Sequence, residues 1–294
     1  VDPSPHRNYA EFVSDLHRDD DVAHAVVILF NIYRGPVVVK GAKYLDGTHD
    51  PDGRPNRKFW KARLPIFKES TLRSLANQSS DNFFVVWLYE RTTDFPEGLL
   101  EKFADEVQAE LGVPFELAPI DPVDFTVDYE HAFWKRREFE EAAVRKHAGS
   151  SQVLYVTYLD GDDLLHTHYV KTMQAQERHI AKDTQVICVP NGFMYASGKR
   201  RIRAWDRGPK GTQPPFFTLR YRTERYLAGQ RHDGGPGRHL WVAHRLKSWK
   251  VPKRLFAQHC HGRNDTTAYN NGLESPDIKG KEAENLIVNA FGQR

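Results

Sequence analysis

Asp160-Gly161-Asp162-Asp163 sets three carboxylates directly behind the largely apolar run 153–159. Such a run reads as a buried strand, so the acids stand at its carboxyl end. In a dry site unpaired carboxylates would cost several kcal/mol, and clustering like charges adds to that cost. The group therefore implies a counter-ion or an open cleft. Mg2+ or Mn2+ is the simplest counter-ion, because these hard cations use one or two protein carboxylates and complete their shell with water and substrate phosphates. A nucleoside diphosphate supplies such phosphates. A single Asp after a strand would more often make a turn and cap a following helix, here one beginning near Leu164.

A strand that delivers acids needs a sheet around it. Residues 25–30 and 83–89 are continuous apolar runs of strand length, as expected for strands covered on both faces, and 115–118 is a shorter third. Between the first two, 60–75 reads as a helix with Pro65 in its first turn and Phe67, Leu72 and Leu75 on an inward stripe. Leu99, Phe103, Val107 and Leu111 recur every fourth residue, and Gly112 with Pro114 ends that helix. Further helices are predicted over 133–147, around Leu165, Tyr169, Val170 and Met173, and over 282–291, with strand-like runs at 185–189, 216–219 and 240–243. Strand and helix alternate through the first two thirds. This predicts an α/β fold with a Rossmann-like, mostly parallel central sheet flanked by helices, followed by an irregular C-terminal region.

Such a sheet binds ligands beyond the carboxyl ends of its strands. Asn31 and Arg34 follow the first strand, Glu90 and Arg91 the second, and the aspartates the fourth, so polar residues gather on one edge. Arginine offers a planar fork for phosphate oxygens, so Asn31 and Arg34 are the candidates for contacting a pyrimidine or a phosphate, with Arg63 and Arg137 as alternatives. Glu90 either meets the nucleotide base or pairs with Arg91 or Arg63. The insert 40–59, rich in Gly and Pro, is expected to be a surface loop, and 264–280 a tail segment. His166 and His168, two apart on the expected helix, do not share a face and make no zinc pair.

The chain has 294 residues, 39% hydrophobic and 28% charged, enough for one large core. No apolar stretch approaches the roughly 20 residues that span a bilayer. The first residues show no basic region followed by an apolar one, and Cys188 and Cys260 are too few for a disulfide framework, so a reducing cytoplasm is expected. The net charge of +3 is unevenly spread: between Lys199 and Arg254 there are sixteen Lys or Arg against Asp206, Glu224 and Asp233. This segment is either a solvated basic face or a surface for something anionic, such as a phosphorylated acceptor or the headgroups at the inner face of a membrane. Trp205, Phe216, Phe217, Tyr221, Tyr226, Trp241 and Trp249 are interleaved with the bases, as a groove for single-stranded nucleic acid would require. No nucleic-acid-binding motif accompanies them, and nucleic acid is not the expected partner.

Several segments together resemble a family. Phe30-Asn31-x-x-Arg34, then Arg63-x-x-x-Phe67-x-x-x-Thr71-Leu72-x-Ser74-Leu75-x-x-Gln78, then Tyr158-Leu159-Asp160-Gly161-Asp162-Asp163 look like the rhamnosyltransferase family, which is similar to glycosyltransferases of the GT-A fold. Pro190-Asn191-Gly192-Phe193-x-Tyr195, Pro214-Pro215-Phe216-Phe217-Thr218-Leu219 and His261-Gly262-x-Asn264 extend the likeness over residues 25–265. The resemblance implies one GT-A-like domain over 1–294, with a donor half in 1–165 and an acceptor half and tail in 166–294. It implies Mn2+ or Mg2+ held by Asp160, Asp162 and Asp163, with Asp160 also facing the donor ribose. His261 is the positional match for a histidine that completes such sites, with His259 and His244 as competitors. The donor would be a nucleotide sugar and the acceptor a glycan, a lipid-linked sugar or a protein.

An inverting transferase also needs a carboxylate to take the acceptor proton. Asp233, just before Gly234-Gly235, is the first choice and Glu224 the second, and the chain lacks the more familiar Glu-Asp pair in that region. A retaining mechanism needs no such base. Two other functions remain in view: a nucleotidyltransferase acting on sugar phosphates, which should carry a Gly-rich, Lys-containing loop where this chain has residues 31–36, and a non-enzymatic nucleic-acid-binding protein.

Overall fold

The computed structural model describes residues 21–30, 57–90, 98–120, 129–206, 216–231, 246–261 and 277–292. Within them β1 (Val22–Leu29), β2 (Phe84–Glu90) and β3 (Phe115–Ile120) lie side by side in chain order, each parallel to the last. The chain then returns to the other side of β1 with β4 (Val153–Asp160), also parallel. β6 (Val186–Val189), β9 (Phe216–Arg222) and β10 (Ser248–Lys250) complete a seven-stranded sheet of order β3-β2-β1-β4-β9-β6-β10. β9 runs antiparallel to both of its neighbours, and the other pairings are parallel. The expected α/β architecture, a mostly parallel central sheet flanked by helices, is what the chain forms.

Both faces of this sheet are apolar, which is why its strands read as continuous hydrophobic runs. Val26 and Ile28 of β1, Trp87 of β2 and Leu159 of β4 share a core with α1 (Arg57–Phe67), α2 (Arg73–Ala76), α3 (Leu99–Leu111) and α5 (Tyr169–Ala175). The alternate residues Ala25, Val27, Val86, Leu154 and Val156 face α4 (Tyr129–Ala148) and α6 (Thr223–Leu227). One polar row crosses the first core. His24 Nε2 lies 2.7 Å from Thr157 Oγ1, which is 2.6 Å from Thr218 Oγ1, which is 3.0 Å from the Tyr169 hydroxyl. Burial keeps His24 neutral, with its pKa lowered to about 3.

β5 (Leu164–Leu165), β7 (Asn191–Ala196), β8 (Arg201–Asp206), β11 (Arg254–His259) and β12 (Asp277–Lys279) form a second sheet of order β12-β8-β7-β11-β5. It sits over α7 (Gly280–Phe291), which contributes Ala283, Ile287 and Phe291 to a third core. Only Pro190 separates β6 in the first sheet from β7 in the second.

Three local expectations are corrected. The helix expected over 60–75 begins at Arg57, so Pro65 lies inside α1 and the end of the supposed loop 40–59 is helical. Lacking an N–H, Pro65 weakens the ladder there, and the helix widens into a π turn, Lys68–Leu72, before α2. Leu164 does not open a helix: with Leu165 it pairs antiparallel to β11, because both side chains are buried between the two sheets' cores. Residues 277–280 are strand and helix start rather than tail, since Asp277 accepts from Arg203 Nε at 2.8 Å and pins β12 to β8. The expected strand 240–243 lies outside the described residues. No described helix is long and apolar enough to cross a membrane.

Gly192 gives the fold a sharp test. A Cβ there would lie 2.4 Å from the ring of Phe256, which is fully buried and packs edge-on to Trp205. Gly192→Ala is therefore expected to destabilise the protein by about 2–3 kcal/mol in urea unfolding. Adding Phe256→Leu should cost less in this background than in the wild type, because the two side chains compete for one volume.

Candidate active site

In the order β3-β2-β1-β4 the chain moves outward from β1, then jumps back to its other side. Ligands bind at such a switch point, beyond the carboxyl ends of the strands. Asp160 is there, at the end of β4 and opposite Leu29 of β1. The next three residues make a tight turn, with Asp163 N donating to Asp160 O at 3.2 Å. Gly161 is required by close approach: a Cβ would come within 3.0 Å of Phe30, which is wedged against Trp87 and Trp60 with ring centroids 4.7 and 5.1 Å away.

The helix before β2 clamps this turn. Thr71, in the π turn, donates to Asp163 O at 2.8 Å, and Ser74 Oγ accepts from Leu165 N at 3.2 Å. Gln78 donates to His166 O and accepts from Val170 N. Thr71 lies in the π turn, Ser74 in α2 and Gln78 just past the end of α2, and all three reach the segment that follows Asp160. The spacing of these polar residues, three and four apart among apolar ones, was the sequence signal for their task.

The pairing of β5 with β11 brings a distant segment to the acids. Leu164 faces Ala257 and Leu165 faces Phe256, so residues just before β5 must lie beside those at the end of β11. Asp163 Oδ1 accepts from His259 N at 3.0 Å, and two residues later His261 Nε2 lies 2.9 Å from Asp162 Oδ2. Arg63, from α1, closes the group with its NH1 3.2 Å from Asp162 Oδ2 and 2.9 Å from His261 Nε2. His259 is turned away, stacked on Tyr195 with centroids 5.4 Å apart and with its Nε2 2.8 Å from Ser197 Oγ.

The two buried aspartates differ in charge preference. Burial by itself would raise Asp162, but the hydrogen bond with His261 and the charge of Arg63 outweigh it and hold the carboxyl below the ordinary range. Asp163 is pushed well above that range, first by burial and then by the charges of Asp162 and Asp160. Burial also pushes the Cys260 thiol to about 12, with Asp163 and Asp162 adding to it, so Cys260 is no nucleophile.

Of the residues singled out from sequence, the fold brings Arg63, Asp160, Asp162, Asp163 and His261 together. Glu90 ends β2 opposite Ile120, on the same sheet edge. Asn31, Arg34, Asp233 and His244 lie outside the described residues, and Arg137 belongs to α4 on the other face of the sheet. Glu224 is corrected. β9 runs antiparallel, so α6 begins at the opposite edge, where Thr223 N bonds Gln152 O. From Gln152 to Asp160 is the full length of the eight-residue β4, roughly 26 Å at about 3.3 Å per residue, too far for a shared reaction. Arg220 and Arg222 share a face, as alternation predicts, but they too lie toward this far edge, opposite Tyr155 and Val153. His166 and His168 precede α5 rather than lying on it, and His168 Nδ1 is 2.7 Å from Ser79 Oγ.

No protein-family model and no curated protein matches this chain. Among solved structures it is similar to the apo form of mouse xyloside xylosyltransferase 1, at 11% identity and a TM-score of 0.32, over 69% of this chain and 68% of that one. It is also similar to a CMP:2-keto-3-deoxy-manno-octonic acid synthetase complexed with CTP, at 8% identity and a TM-score of 0.31, over 81% of this chain and 90% of the other.

Proposed function

We propose that this chain is a metal-assisted glycosyltransferase that moves a hexosyl group, rhamnosyl by the sequence resemblance, from a nucleotide sugar to a glycan, lipid-linked or protein acceptor. The observation that carries the reading is the meeting of Asp162 and His261, 2.9 Å apart, just beyond Asp160 at the switch point of a mostly parallel sheet. Among the described residues no three ligands stand ready around one point. Mn2+ and Mg2+ do not need three, because one or two carboxylates plus phosphates and water fill their shell, and a carboxylate with an imidazole is an acceptable donor set for Mn2+.

Asp162 and His261 would hold the ion, with Asp160 facing it or the donor ribose. When bound, the ion neutralises charge that develops on the departing nucleoside diphosphate. Asp163, turned toward β11, positions His261 through the His259 amide. Thr71, Ser74 and Gln78 keep the turn in place, so the carboxylates are already arranged before substrate arrives. Glu90 and the segment with Asn31 and Arg34 follow strands that end on this same edge, and in this proposal they contact the base and phosphates of the donor. Asp233 keeps the role of acceptor base, and contact with a membrane surface would come through the basic C-terminal third.

A panel of UDP-, GDP- and dTDP-sugars with Mn2+ tests the reading through release of the nucleoside diphosphate. One donor is expected to be turned over, and EDTA should stop the reaction. Pyrophosphate release from a nucleoside triphosphate and a sugar phosphate would instead make the chain a nucleotidyltransferase.

A further inference from the structure

Three groups converge at one atom of the site. His261 Nε2 lies 2.9 Å from Asp162 Oδ2 and 2.9 Å from Arg63 NH1. An imidazole nitrogen is either a donor or an acceptor. With a proton, Nε2 satisfies Asp162 but confronts a guanidinium N–H. Without one, it accepts from Arg63 but points a lone pair at a carboxylate oxygen. Neither form satisfies both contacts, whereas a small cation between Asp162 and His261 would receive both lone pairs.

The three groups are not equally fixed. Asp162 and His261 expose 8% and 6% of their side chains, and each follows a strand that anchors it. Arg63 exposes 18%, reaches in from α1 on a flexible stem, and has its guanidinium carbon 5.7 Å from the Phe59 ring centroid. Of these three groups it is the charge that can leave without unmaking a sheet.

We infer that Arg63 is a built-in competitor for the cation, neutralising Asp162 while the site is empty of metal and giving up that place when a divalent ion arrives. The inference rests on the metal reading of the site. Two cations of separate origin repel each other at this range, so ion binding alone is weakened. A diphosphate offers the displaced guanidinium a bidentate partner and removes that penalty. Metal and nucleotide then bind with positive coupling, and by linkage each strengthens the other equally.

The test is titration of the whole chain with Mn2+ alone, following free Mn2+ by electron paramagnetic resonance, then repeating it with saturating UDP. Arg63→Gln, which keeps most of the stem, and Arg63→Ala are expected to bind Mn2+ at least about tenfold tighter than wild type without nucleotide. The enhancement by UDP should shrink in both. Mn2+ binding to the wild type with no tightening in either variant would overturn the competitor role while leaving the metal site standing. Absence of Mn2+ binding in all three proteins, with and without UDP, would overturn the metal reading and the competitor role with it.

Discussion

Asp162→Asn is expected to lower sugar transfer at least about 1000-fold, the scale of losing several kcal/mol of charge stabilisation in the transition state. The same change takes a negative partner from Arg63 and His261, so a modest fall in stability should accompany it. Asp163→Asn should act in the opposite sense on stability. The amide oxygen can still accept from His259 N, while a charge disfavoured by burial and by two neighbouring carboxylates is removed. The sign with pH follows. A carboxyl whose folded pKa is raised binds its proton more tightly in the native state, so wild-type stability falls as pH climbs from about 4 toward that raised value. In EDTA, urea unfolding at a series of pH values should show Asp163→Asn gaining on the wild type as pH rises. A gap that narrows with rising pH would show that the buried carboxyl is not strained by its charge.

Glu177→Ala is expected to cost about 3 kcal/mol, the low end of the scale for stranding one member of a buried ion pair, because Arg220 is buried while Glu177 keeps 22% of its side chain exposed. Arg220 exposes only 5% of its side chain and spends its fork on Glu177, with Nε to Oε2 at 2.7 Å and NH2 to Oε1 at 2.5 Å. The Tyr155 hydroxyl donates to the same carboxylate at 2.7 Å, so a second buried group would lose its partner. Glu177→Gln, which keeps acceptor capacity without the charge, should fall between. A loss under about 1 kcal/mol for the alanine variant would mean that water replaces the carboxylate. This pair also changes what Arg220→Ala means. The basic segment from Lys199 to Arg254 offers an anionic acceptor a surface only where its cations are available; Arg220 is a structural cation toward the far edge of the sheet, opposite Tyr155, and its loss should appear as lower stability rather than as a higher acceptor KM.

The difference between those two cases marks what sequence carries. The strands of the large sheet announce themselves because both faces are buried, so runs such as 153–159 are apolar but for Thr157 and end where Asp160 begins. His261 could be matched to the acids only by resemblance, since its approach depends on β5, a pair of residues too short to carry a periodic signal. Direction was harder still. Nothing in 216–222 says that β9 runs against its neighbours, yet that one reversal sends Glu224 and Arg220 away from the carboxylates. The contribution of α1 was hidden for another reason: Pro65 looks like a helix start, whereas the helix begins at Arg57, passes the proline and widens so that Thr71 reaches the aspartate turn.

Thermal unfolding of the full chain with UDP, GDP or dTDP, in Mn2+ and in EDTA, separates a metal-bridged donor site from a bare carboxylate cluster, because a ligand that binds only the native state raises its stability. Bare carboxylates repel a diphosphate, and a bridging cation reverses that. Tm is expected to rise with at least one nucleotide in Mn2+ and with none in EDTA. An equal rise in both, or no rise with any nucleotide, would contradict the metal-bridged site.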